Sequence, residues 1–315
     1  MSYSAILSPT CRRCSIGQHS RIFGWPTKGE LIVTTFLFFS GYGVMVQLQK
    51  RGPAYLETFP VKRILFTWLK FAVAVTIYLV LSVAMAIPFP PGRIVLAYLG
   101  LATIGNSSWY IFAILLMYAL TYVAFKLAPG QPSRAIILLF IGTSCYLVIA
   151  VKQLPPWYAE TIFSYLGGVL FARYHEPIEK RLTSSWGHYW LPFLWTFSLF
   201  CGFYILCAIT PYRWLFFISY QFAAICFPLL FVFLAMKTTI RAPFYRYVGG
   251  TAMFSIYMLQ RLPMILGRHT VLAHQPVRYF CFVLVSTLFL GWVFDQLVGR
   301  FLQRLVGKRA SVSVK

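Results

Sequence analysis

The chain has 315 residues, of which 59% are hydrophobic and 19% aromatic, while Asp, Glu, Lys and Arg together make up 11%, against about 25% in soluble domains. With a mean hydropathy of +0.73 there is too little charge to cover a globule in water, which excludes a soluble enzyme and points to one unit embedded in a bilayer. Lys and Arg number 28 against 6 acids, a formal charge of +22, but they fall in the gaps between apolar runs, as membrane-flanking residues do and as those of a nucleic-acid partner do not.

Residues 1–30 read as an irregular N-terminal segment. Cys11 and Cys14 form a CxxC pair with His19 five residues on, but no fourth ligand stands nearby, so no metal site is expected. The stretch from Ser2 to Thr10 is too short and mixed for a signal peptide. The other five cysteines, Cys145, Cys201, Cys207, Cys226 and Cys281, lie in apolar stretches where a thiol acts as a small hydrophobe, and no disulfide framework is expected.

A helix needs about 20 apolar residues to cross the hydrocarbon layer. Nine candidate spans follow in order: Leu31 to Leu48, Phe71 to Ile87, Trp109 to Phe125, Ala135 to Val151, Thr161 to Ala172, Trp190 to Ile209, Trp214 to Met236, Tyr247 to Leu266 and Tyr279 to Val298. Thr161 to Ala172 is short and carries Gly167-Gly168, and Tyr247 to Leu266 is interrupted by Arg261, so a tilted, broken or re-entrant path is expected for both. The fold class is all-α, a polytopic transmembrane helix bundle, with a membrane domain over 31–300 and a basic tail over 301–315.

Alternate loops differ in charge. One set carries Lys50, Arg51, Lys62, Arg63, Lys126, Arg134, Arg173, Lys180, Arg181, Lys237, Arg241, Arg246 and the tail residues Arg300, Arg304, Lys308, Arg309 and Lys315, whereas the other holds Arg93, Lys152, Arg213, Arg268 and Arg278. The positive-inside rule therefore places the C-terminus in the cytoplasm of an integral plasma (inner) membrane protein. Nine spans then put the residues before Leu31 outside, although Arg12, Arg13, Arg21 and Lys28 belong inside; one further upstream helix would resolve the conflict.

The catalytic inventory is thin. Asp295 and Glu160 are the acids in or near apolar spans, and neither has a histidine neighbour in sequence, which argues against a Ser-His-Asp arrangement. Neither GxxxxGK[ST] nor GxGxxG occurs, so a nucleotide cofactor is not indicated. His269 and His274 are five apart and read as an outer loop. Arg261, after Gln260, is either an intramembrane cation or the start of a headgroup segment. Lys70 reads as snorkelling toward Lys62 and Arg63, and that pair opens a helix where it can either hold a phosphorylated ligand or merely signal topology. Asn106-Ser107-Ser108 matches a glycosylation tripeptide, a frequent chance pattern.

Several stretches go beyond composition. FLFFSGYGVM (Phe36 to Met45) followed by YLETFPVKRIL (Tyr55 to Leu65), NSSWYIFAILLMY (Asn106 to Tyr118), GGTAMFSIYMLQRLPMI (Gly249 to Ile265) and ETIFSYLGGVLFARYHEPIEKRL together resemble the integral-membrane acyltransferase family 3, over about Leu31 to Val298. The resemblance implies a ten-helix fold whose first helix bears an arginine and, ten residues on, a histidine acting as general base. No apolar helix precedes Leu31, and His19 stands roughly where that histidine would, with Arg12 and Arg13 at the wrong spacing; the expectation is a truncated or re-framed start. Phe66, Ile114 and Gln260 replace an arginine, a glutamate and a histidine of the family pattern.

The resemblance further implies transfer of an acyl group, commonly acetyl, from acyl-CoA to a hydroxyl of an envelope carbohydrate or lipid-linked sugar, with no resident cofactor. Lys62 and Arg63 would hold the donor, and Ser40, Tyr42, Trp109, Tyr118, Gln260 and Arg261 would line a tunnel. The rivals are a glycan or lipid transporter using the same cavity and an inactive relic of the enzyme.

Overall fold

A computed structural model describes residues 29–238, 252–268, 270–302 and 304. His19, Cys11, Cys14, His269 and most of the basic tail lie outside the described residues. Among the described residues the structure is a bundle of helices without strands. Seven helical segments are long and apolar enough to cross a membrane. They are α1 (Gly29–Arg51); a continuous run made of α2 (Pro53–Phe59), a π-helical turn (Pro60–Leu65) and α3 (Phe66–Ala84); α5 (Trp109–Leu127); α6 (Pro132–Gln153); α9 (Trp186–Ile209); α10 (Arg213–Lys237); and α13 (Pro276–Phe294), continued by a second π-turn (Asp295–Gly299). Between them, among the described residues, lie five short helices besides α2: α4 (Pro91–Tyr98), α7 (Phe163–Arg173), α8 (His175–Ser184), and the pair α11 (Met253–Leu259) and α12 (Arg261–Arg268), which together form one interrupted segment.

The two weak candidate spans are the two that differ from full-length crossings. Thr161 to Ala172 becomes the 11-residue α7, too short to span but wrapped by protein: Ser164, Tyr165, Gly168, Val169 and Ala172 are all buried. Tyr247 to Leu266 breaks at Gln260, which caps α11 before α12 begins at Arg261. Irregular backbone at membrane depth is tolerated where neighbouring helices cover it.

Helix α7 runs parallel to α1, as three successive contacts show. Ser164 Oγ donates to the Thr34 carbonyl at 2.9 Å, Gly168 meets Phe38, and the rings of Phe171 and Tyr42 stand 6.0 Å apart. Glycines allow the approach: a Cβ on Gly168 would fall onto the Phe38 carbonyl oxygen, and one on Gly41 onto that of Tyr165. Between helices in lipid, where apolar burial offers no net drive, such close backbone packing supplies the cohesion.

Lys70 does not snorkel. Its Nζ lies 2.8 Å from Asp295 Oδ1, both side chains are 11% exposed, and Ser255 Oγ donates to the same oxygen at 2.7 Å. The carboxylate explains the correction, because inside the bundle an opposite charge at contact distance stabilises the ammonium more than a long reach to the headgroups. One ion pair thereby joins α3, α11 and the last span.

Charged residues also mark the two ends of the bundle. Lys237, at the end of α10, places its Nζ 4.7 Å from the ring centres of Trp186 and Tyr189 at the start of α9. At the opposite end Arg213 Nη2 donates to the Val151 carbonyl at 3.4 Å.

Two outcomes test this packing. Gly168→Ala is expected to lower the thermal midpoint and folded yield in detergent, whereas Gly202→Ala, where a Cβ meets nothing within 4 Å, leaves both unchanged; equal behaviour of the two contradicts the glycine contact. Lys70→Met alone is expected to cost about 3–5 kcal/mol by stranding Asp295, and Lys70→Met with Asp295→Leu to recover most of it. A double variant no more stable than either single one contradicts the pairing.

Candidate functional site

Polar side chains of α1 and α5 face one another across the bundle. Ser40 lies between the hydroxyls of Tyr110 and Tyr118, residues two turns apart on one face of α5. Tyr118 in turn faces Arg63, whose Nε donates to the Tyr55 hydroxyl at 2.8 Å. Tyr165 of α7 closes this group, sharing a 3.0 Å hydrogen bond with Thr121 and packing edge-on against Tyr118 with centroids 6.3 Å apart. Tyr55, Tyr110, Tyr118 and Tyr165 are buried.

Toward the other end the line continues through Tyr257 of α11. Its ring stands 5.0 Å from that of Tyr110, with Phe36 edge-on to both at 6.0 and 6.3 Å. Beyond Tyr257 lie Ser107 and Arg261, and Arg261 Nη1 donates to the Asn106 carbonyl at 3.3 Å. Tyr78 fastens α3 to this end by donating to the Met258 carbonyl at 3.0 Å. Tyr158 fastens the 153–163 connection by donating to the Gly100 carbonyl at 2.8 Å, and burial pushes its hydroxyl above the ordinary range, so it remains a neutral donor at physiological pH. A column of hydroxyls thus runs from Arg63 to Arg261 through an apolar bundle.

The loop before α5 is built for this position. Asn106 Oδ1 accepts from the Ile104 amide at 3.1 Å and Thr103 Oγ1 donates to the Asn106 carbonyl at 2.6 Å, a side-chain-closed turn of the kind Asn favours. Gly105, with φ of +111°, supplies a backbone conformation that side chains rarely adopt.

Of the residues singled out in the sequence, Ser40, Arg63 and Tyr118 come together, and Arg261 joins them through Tyr257 and Tyr110. Tyr42 does not: two residues from Ser40, it points the other way, to Phe171 and His175, the latter at 5.9 Å between ring centres. Lys62 is exposed while Arg63 turns inward, so the adjacent cations act on different surroundings. Trp109 opens α5 and packs edge-on to Tyr110 at 6.5 Å. Gln260 marks the break between α11 and α12. His19 lies outside the described residues.

Sequence reasoning passed over Tyr55, Tyr110, Tyr257 and Asn106 as site residues. Tyr110 and Tyr118 share a helical face, which their spacing of eight carries; nothing local pointed to Tyr257. It also passed over His175, whose Nδ1 lies 3.5 Å from Glu179 Oε2 beside Tyr42. Among the described residues no group of three or more His, Cys, Asp or Glu side chains gathers as metal ligands do.

A pocket of about 240 Å³ opens at the Lys62 end, lined by Met45, Leu48, Leu56, Phe125 and Pro129 with Gln49 and Arg173 at its polar edge. It is shaped by the end of α1, the start of α2, the α5–α6 turn and the end of α7.

Neither a search of curated proteins nor one of solved structures returns a match to this chain. A family model described as an acyltransferase domain matches residues 16–296, a range that includes both ends of the hydroxyl column, and the chain is accordingly a member of the membrane acyltransferase 3 family.

Proposed function

We propose that the protein transfers an acyl group, acetyl in the simplest case, from acyl-CoA to a hydroxyl of an envelope carbohydrate or a lipid-linked sugar. The observation that carries this reading is the buried hydroxyl column between Arg63 and Arg261. A donor and an acceptor kept on opposite faces of a membrane have to meet inside it, and a line of side-chain hydroxyls gives polar groups a path that hydrocarbon does not.

In this reading the Lys62 end faces the cytoplasm of the plasma (inner) membrane, together with the C-terminus. The apolar pocket there takes the acyl and pantetheine part of the donor, while exposed Lys62 and Arg173 meet its phosphates as point charge and planar fork. Arg63, held by Tyr55, sits at the inner lip where the thioester enters the column. The acceptor approaches from the Arg261 end, past Trp109 and Gln260.

Chemistry requires removal of one proton. The acceptor oxygen attacks the thioester carbonyl carbon, the C–S bond breaks, and sulfur leaves as thiolate. The base returns to the thiolate the proton it took from the hydroxyl, giving an ester and free CoA. A histidine, with an ordinary pKa of about 6.5, is suited to that exchange, and His19 is assigned the role. Ser40 and Tyr118 are assigned donors to the developing charge on the carbonyl oxygen, in surroundings where such bonds gain strength. The close edge-to-face packing of Tyr110, Tyr118, Tyr165 and Tyr257 favours chemistry over bulk passage of a glycan, the alternative of a transporter.

Radiolabelled acetyl-CoA supplied to the reconstituted protein with an envelope glycan should give labelled ester. His19→Ala should lower turnover by about 10²–10⁴-fold, and Tyr118→Phe by about tenfold with donor affinity kept. Undiminished turnover in His19→Ala removes that residue from the reaction, and absence of labelled ester with any acyl-CoA removes the reading itself. For the donor, Lys62→Gln with Arg63→Gln should weaken acyl-CoA binding by about tenfold or more in equilibrium dialysis; unchanged affinity reduces the pair to topology signals.

A further inference from the structure

The Arg261 end of the column holds two polar groups that the folded chain leaves without a partner. Asn106 is 2% exposed and Tyr257 6% exposed, and neither Asn106 Nδ2 nor the Tyr257 hydroxyl has a hydrogen-bond partner among the described residues. The rest of Asn106 is spoken for: Oδ1 accepts from the Ile104 amide, and its carbonyl accepts from Thr103 and from Arg261 Nη1 at 3.3 Å. The Tyr257 hydroxyl lies next to Ser107, Arg261 and the Tyr110 backbone without reaching hydrogen-bond geometry with any of them. A buried amide donor left unmade is destabilising, so a site that keeps two unpartnered groups beside an arginine is preorganised for something that arrives.

The chemistry of that visitor follows from the groups. Asn106 Nδ2 can only donate, the Arg261 guanidinium can only donate, and Ser107 and Tyr257 carry hydroxyls that can do so. Arg261 is exposed with one of its five N–H groups directed at the Asn106 carbonyl. The described loops at this end add Arg93 and Arg268 to the same charge sign. Convergent donors around a guanidinium match an oxygen-rich anion, for which arginine is suited by its planar fork.

The geometry points to an oxyanion subsite formed by Asn106, Ser107, Tyr257 and Arg261, which selects acceptors that carry a carboxylate or phosphate near the hydroxyl to be acylated. This deepens the acyltransferase reading and rests on it for the word acceptor, but binding of the anion stands on the geometry alone. Asn106 and Tyr257 are specificity-determining in this account, and Arg261 supplies the charge.

Binding is measured by titration calorimetry on the full chain in detergent, with glucuronate, glucose 1-phosphate and neutral glucose as probes and no acyl-CoA present. At least one anionic sugar should bind about tenfold or more tightly than glucose, and which of the two does so separates a carboxylate-bearing from a phosphate-bearing acceptor. Arg261→Gln should remove the preference. Asn106→Asp keeps the Oδ bond to Ile104 but replaces the free donor by a negative oxygen, and should abolish anion binding at an unchanged thermal midpoint. Should that variant fail to fold, Tyr257→Phe carries the test, with an expected fall of several-fold. Equal binding of glucose and both anions, no binding of either anion, or unchanged anion affinity in Arg261→Gln overturns the subsite. Loss of acyl transfer with anion binding intact would instead overturn the acyltransferase reading, so the two fail separately.

Discussion

A hydroxyl, amide or ammonium inside hydrocarbon has no water to turn to, and each one left alone costs several kcal/mol. Buried polar side chains that pair across helices therefore fix how those helices stand. Lys70 meets Asp295 and Ser255; Thr121 meets Tyr165; Tyr78 meets the backbone of α11. Helix α7, too short to cross, is held at depth because Gly41 and Gly168 bring backbones together and because Ser164 bonds to α1.

The same constraint gives the site its form. Once α1, α5 and α7 are locked, Ser40, Tyr110, Tyr118 and Tyr165 have no exit except toward each other, and Arg63 enters the group through Tyr55. The π-turn that carries Arg63 interrupts a run that would otherwise be one long helix, and such turns frequently coincide with functional positions. A second π-turn begins at Asp295, so both irregular turns bear a charged residue used inside the bundle. The Arg261 end breaks its helix for a comparable reason: at Gln260 the chain leaves α11 and presents Arg261 to the Asn106 turn.

Much of the fold was legible from apolar run lengths alone, since a span is a local property of about 20 residues. The two runs marked weak, Thr161 to Ala172 by length and glycine and Tyr247 to Leu266 by Arg261, are the two that do not cross as single helices. Partners were not legible. Lys70 and Asp295 are 225 residues apart, so the lysine was read by its nearest neighbours in sequence and assigned a reach to the headgroups. Ser40 and Tyr42 both read as tunnel residues by sequence, although two steps on a helix turn the chain by about 200° and place them on opposite sides. Arg63 and Lys62 diverge for a similar reason. Tyr257 and Asn106 lie within the stretches that carry the family resemblance, but nothing in them marks a binding role, because an unpartnered buried donor is visible only when every neighbour is in place.

Sidedness tests the account most directly. With the protein reconstituted in one orientation in sealed vesicles, labelled acetyl-CoA is placed on the Lys62 side and an impermeant acceptor glycan on the Arg261 side, and the reverse arrangement is run in parallel. The account predicts labelled ester on the Arg261 side in the first arrangement and none in the second. Ester formed only when donor and acceptor share one side would contradict a reaction path along the column.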